Sequence, residues 1–192
     1  MRPNKFRMRH IVQNAAYFGT MCQVPRMNWS KTLGLLAVIT TLLSACEPPV
    51  SLPPEPRLTN LTMSTTGDLG LLSLDFEDGD GNFGLNQTDT TGAFCPTCPF
   101  HHNIFCEYEE LQNGEWVTIV LDPALDQVPF YYRAPRIEPT GQNKTLRGTI
   151  TVELAPRYYL LTEWDTLRFA VHIVDRDLQS SDTLRTAAVL KP

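Results

Sequence analysis

The stretch DFEDGDGNFGLNQTD, residues 75–89, sets Asp78, Asp80 and Asn82 at alternate positions with glycines between them. That spacing lets side-chain oxygens converge on one hard cation while glycine permits a tight backbone, which points to Ca2+. It departs from a helix-flanked calcium loop in having Phe83 at the sixth position and Asp89 at the twelfth. An acidic, solvated turn is the competing reading. A second carboxylate-rich stretch, VDRDLQSSD at 174–182, supplies Asp175 and Asp177. The run CPTCPFHHNIFC, residues 95–106, carries Cys95, Cys98, His101, His102 and Cys106, donor types that zinc favours. In FYYRAPR, residues 130–136, Tyr131, Tyr132 and Arg133 make a mixture common at binding surfaces and common also in strand-edge packing. The four histidines are His10, His101, His102 and His172, and no Ser/His/Asp arrangement is legible among them. The reading is therefore of a non-enzymatic protein.

The compartment weighs on each of these readings. Lys31 precedes an apolar run, Leu33–Leu43, and the first 45 residues contain no acid. Eleven residues are too few to cross a hydrocarbon core, which needs about 20 in helical form, but suit the apolar centre of an export signal. The run closes on Leu43, Ser44, Ala45 and Cys46, which resembles the lipobox of bacterial lipoproteins. The resemblance implies that residues 1–45 are a signal peptide and that Cys46 receives a covalent lipid and opens the mature chain. Residues 1–26 make that signal unusually long, so the expected start is Met27 or Met21. In an oxidising compartment, close thiols tend to pair. The expectation is a disulfide from Cys95 to Cys98, or from one of them to Cys106, ahead of zinc. A redox site of thioredoxin type wants its first cysteine at a helix N-terminus, and Pro99 followed by FHHN offers none.

The signal segment holds six of the 16 basic residues and none of the 21 acidic ones, leaving ten against 21 and a formal charge of −11. Nucleic acid is excluded as a partner, because its binding rests on Lys and Arg neutralising phosphates. Residues 46–56, CEPPVSLPPEP, hold five prolines and read as an extended tether. From 57 to 192 the chain turns to period two. Leu72, Leu74 and Phe76 alternate with polar residues, as do Ile150, Val152 and Leu154, and then Leu167, Phe169, Val171 and Ile173. Asn113-Gly114 joins two further strands as a hairpin. About seven strands are expected, at 57–64, 70–77, 103–111, 115–121, 147–154, 165–174 and 183–190, with room for an eighth near 129–133. That count suits an all-β, immunoglobulin-like antiparallel sandwich, with a small β-barrel as the alternative. Loops after the second, fourth and sixth strands would then gather at one end, bringing Asp78 and Asp80, Asp122 and Asp126, and Asp175 and Asp177 together.

LDFEDGDGNFGL, NIFCEYEELQNGEWV, YYRAPRIEPTGQNKTLRGTITVEL and DTLRFAVHIVDRDLQSSDTLRT, in that order, resemble Bacteroidetes-type lipoproteins with Ig-like domains. The resemblance implies a fold and an address in the cell envelope, with the lipid bilayer as one partner. The expected function is a non-catalytic binding or assembly module with a protein or glycan partner, stabilised by Ca2+ at its apex. The alternative is a redox or zinc protein acting through the cysteine and histidine run. CEPPVSLPPEP lacks a row of adjacent acids after the cysteine, which favours the periplasmic side of the outer membrane over the cell surface.

Overall fold

The computed structural model describes residues 52–122, 125, 127–140, 143–155 and 157–192; Cys46, the apolar run before it and Asp126 lie outside the described residues. The described chain is all-β and antiparallel, in two sheets. One has three strands, β1 (Arg57–Thr66), β2 (Leu69–Asp78) and β6 (Leu146–Leu154), in the order β1-β2-β6. The other holds β3 (Ile104–Gln112), β4 (Glu115–Thr118), β5 (Phe130–Tyr132), β7 (Thr166–Ile173), β8 (Leu184–Arg185) and β9 (Val189–Leu190). Its path is β4-β3-β7-β8, with β5 also on β3 and β9 also on β7. This sheet curls until β8 approaches β1. Two single 3-10 turns, Gly92–Phe94 and Pro99–His101, lie between β2 and β3.

The alternation read from the sequence is what builds the core. In β2 every second residue from Gly70 to Asp78 is buried, and in β7 Leu167, Phe169, Val171 and Ile173 face the same interior from the opposite sheet. Each such apolar side chain contributes about 1.5–3 kcal/mol when fully buried. Phe169 takes Tyr108 and Phe130 edge-on, with ring centres 5.6 and 5.2 Å apart, a geometry that sets the positive ring edge against the negative face. At the far end Asn113 (φ 53°) and Gly114 (φ 86°) both take left-handed conformations, the turn whose twist matches two right-twisted strands.

Two strands differ from expectation. The strand expected at 115–121 ends at Thr118: the chain leaves the edge of β3 after Ile119 donates to the Tyr108 carbonyl, and returns where Phe130 pairs with Cys106. The strand expected at 183–190 is split into β8 and β9. Between them Thr186 donates its backbone N–H to the Phe169 carbonyl, and its hydroxyl accepts the Phe169 N–H in place of a strand carbonyl. A side chain has displaced one rung of the ladder.

Candidate functional site: an apex of buried acids

The core faces of β2 and β7 do not stop with their last apolar residues. Asp78 follows Leu72, Leu74 and Phe76 in the same alternation and is 0% exposed; Asp175 stands two residues beyond Ile173 and is 2% exposed. The strand period carries both acids into the interior, one from each sheet. Asp78 Oδ2 accepts the Phe83 N–H at 2.7 Å, and Asp175 Oδ1 accepts the Gln179 N–H at 2.8 Å. Their other oxygens, Asp78 Oδ1 and Asp175 Oδ2, are buried without a hydrogen-bond donor. So are the amide oxygens Asn82 Oδ1 and Gln179 Oε1.

The Asn82 amide nitrogen donates to Asp80 Oδ2 and to Asp177 Oδ2, each at 3.0 Å, and so ties the loop after β2 to the loop after β7. Asp80 Oδ1 accepts the Asn82 backbone N–H at 3.1 Å. Burial, then the charge of Asp80 and its side-chain contact with Asp78, and then the charge of Asp175, push the Asp78 carboxyl up to about 7 against the pull of the Phe83 N–H. Asp175 is raised as well, by burial first and then by the charges of Asp177 and Asp80, outweighing the Gln179 and Asp177 N–H groups. The glycines of this loop are required by close approach. A Cβ at Gly79 would stand 2.1 Å from the Pro53 carbonyl oxygen, and one at Gly81, where φ is +71°, 1.9 Å from that of Lys144.

Asp78, Asp80, Asn82, Asp175 and Asp177 thus come together, and Gln179, which sequence reasoning missed, joins them. Asp122 lies in the excursion between β4 and β5, where its carbonyl accepts the N–H groups of Leu125 and Gln127. Asp89, twelfth in the sequence motif, turns to Arg176 in an ion pair that holds its carboxyl below the usual range. Among the described residues no three His, Cys, Asp or Glu side chains form a group that could hold a metal ion.

The cysteine run takes another form. Cys95 and Cys98 are joined to each other, with Cα atoms 4.9 Å apart, while Cys106 is a free, buried thiol between Phe130 and Val171 in the sheet, its pKa pushed up by burial. The described structure assembles no thiolate–imidazole group from it. His101 Nδ1 lies 3.2 Å from the Phe94 carbonyl oxygen.

The expected surface of Tyr131, Tyr132 and Arg133 is corrected by the alternation of β5. Tyr132 points into the core and is 3% exposed; Tyr131 points out and is 37% exposed. Arg133 is occupied internally, donating to the carbonyls of His101, Asn86 and Asp89 and so fastening the long loop between β2 and β3. Tyr131 belongs to an aromatic strip on the outer face. Its ring is 5.1 Å from Phe105 and 6.2 Å from His102, and Phe105 stacks on His172 at 5.0 Å. The sequence signal for this strip was Phe105, an apolar residue out of phase with Ile104, Cys106 and Tyr108.

No protein-family model, no curated protein and no solved structure matches this chain.

Proposed function

We propose that the protein is an envelope lipoprotein, anchored through lipid on Cys46 and spaced by residues 46–56, whose β-domain is an immunoglobulin-like sandwich acting as a non-catalytic binding or assembly module. The observation that carries this reading is strand order. With β1, β2, β3, β6, β7 and β8/β9 taken as A, B, C, E, F and G, the sheets read A-B-E and C-F-G, with β4 and β5 along the free edge of C. The module presents two surfaces, the acidic apex and the strip of Phe105, Tyr131, His102 and His172. Such a strip suits a protein or glycan partner, because aromatic side chains offer large contact area at low cost in side-chain entropy. The rival redox or zinc reading draws less support: Cys95 and Cys98 are joined to each other, and Cys106 lies in the core. The expected site of action is the periplasmic side of the outer membrane.

Fractionation tests the address and cross-linking the role. The wild-type chain should stay with membranes through high salt and leave only in detergent, while Cys46→Ser should become salt-extractable and lose the mass of the lipid. A photo-cross-linker in place of Tyr131 should give an adduct of defined mass. Identical partitioning of wild type and Cys46→Ser would refute the anchor; a linker that reacts only with solvent would refute the binding face.

A further inference from the structure

We infer that the apex is a binding site for one divalent hard cation, with Ca2+ as the ion that fits, held by Asp78 Oδ1, Asp175 Oδ2, Asn82 Oδ1 and Gln179 Oε1. Among the described residues, five side-chain oxygens are buried with nothing to accept, and four of them are these. The fifth, the Tyr132 hydroxyl, belongs to the core of the curled sheet. A buried carboxylate oxygen without a donor is strongly disfavoured, and two such groups, one from each sheet, repel each other as well. Among the described residues no arginine answers them. Arg176 is paired with Asp89, Arg136 with Glu138 and the carbonyls of Gly81 and Phe83, and Arg133 with the carbonyls of His101, Asn86 and Asp89.

The surroundings also assign roles that the sequence motif does not. Asp80 and Asp177 spend oxygens on the Asn82 amide nitrogen and so turn Asn82 Oδ1 the other way. They are positioning residues. Gln179 is fixed by a reciprocal pair of backbone contacts with Asp175: its N–H reaches Asp175 Oδ1 at 2.8 Å, and its carbonyl accepts the Asp175 N–H at 3.0 Å. The backbone carbonyls of Gly79, Gly81 and Phe83 are already engaged by Thr145 and Arg136, so side-chain amides take the part that carbonyls play in a helix-flanked loop. Four oxygens and no nitrogen or sulfur select a hard ion, and two carboxylates balance a double charge. Ca2+ accepts 6–8 oxygens in irregular geometry, leaving two to four positions for water, whereas Mg2+ demands a near-ideal octahedron. The inference does not depend on the lipid anchor.

The test is calorimetric titration and thermal melting of the full chain in detergent, stripped with chelator, near pH 7.5. Ca2+ should bind at one site with a dissociation constant of about 0.1–1 mM, the range of extracellular modules. At tenfold that concentration it should shift the folding equilibrium about 11-fold. Asp78→Asn and Asp175→Asn should fold, judged by circular dichroism, and lose the response entirely. Asp80→Asn should weaken binding about 10–100-fold without abolishing it, as expected of a group that acts through another. If 10 mM Ca2+ produces neither heat nor a melting shift in the wild type, or if Asp78→Asn responds undiminished, the site does not exist. An equal response to Mg2+ would overturn the choice of ion.

Discussion

Glu110 is a buried acid whose charge is answered in full. Its side chain is 1% exposed; Oε1 accepts from Tyr108, Thr162 and Lys191 at 3.0, 2.5 and 2.9 Å, and Oε2 from Gln112 at 3.3 Å. Burial alone would raise its pKa, but the hydrogen bonds of Thr162, Lys191 and Tyr108 win and hold it below the ordinary 4.5. A depressed carboxylate stabilises the fold at pH values above its unfolded pKa, and that contribution disappears as pH falls through the folded value. The gap in denaturant midpoint between wild type and Glu110→Gln should therefore be widest at pH 7 and narrow as pH is lowered to 3, while Asp78 and Asp175, whose raised values act in the opposite sense, are common to both proteins. At pH 7 the loss of Lys191, as Lys191→Met, should cost about 3 kcal/mol, since it leaves a buried charge unpaired. The disulfide is a smaller matter. Closing only the loop from Cys95 to Cys98 removes little chain entropy, so replacing both cysteines by serine should lower stability by at most about 2 kcal/mol in a urea titration.

Strand alternation was legible because it is local: a period of two in β2, β6 and β7 fixes which residues face inward whatever the strands pair with. The hairpin was legible for the same reason, in the left-handed preference of Asn113-Gly114. Where a strand ends was not legible. Thr186 looks like any β-branched strand residue until its hydroxyl is found taking the Phe169 N–H at 3.1 Å. Thr186→Val keeps the shape and removes that acceptor, leaving a buried N–H unsatisfied at a cost of about 1–3 kcal/mol. Equilibrium unfolding of this variant should show that loss, and hydrogen exchange should quicken at Phe169. Unchanged exchange there would mean that a backbone carbonyl takes over and β8 and β9 fuse.

Lipid on Cys46 would give the domain an orientation as well as a fold. The carbonyls of Leu52 and Pro53 lie against Gly79, so the tether meets the domain at the acidic apex. Five residues lie between Cys46 and Leu52, six steps of chain that span at most roughly 20 Å. The ten residues of β1 run about 33 Å from that end to the other. If Cys46 carries the lipid, the apex is expected to face the bilayer and the Asn113-Gly114 hairpin to point away. Dyes on Lys144→Cys, beside Gly81, and on Glu115→Cys, at the hairpin, should differ in energy transfer to a headgroup acceptor in vesicles, the first strong and the second weak. Equal transfer would refute this orientation.

The residue types alone determined that this chain makes antiparallel strands, that two cysteines lie three positions apart, and that acids follow the apolar runs of two of them. The alternation even carries Asp78 and Asp175 inward, for anyone who continues it past Phe76 and Ile173. Only the tertiary structure decided that these acids share one interior with Asn82 and Gln179, that Asp80 and Asp177 hold an amide, and that Arg133 serves a loop. The physical reason is reach. A local period fixes the side of a sheet, but the contact of Asn82 with Asp177, 95 residues apart, exists only because two sheets close on one core and bring the ends of β2 and β7 together.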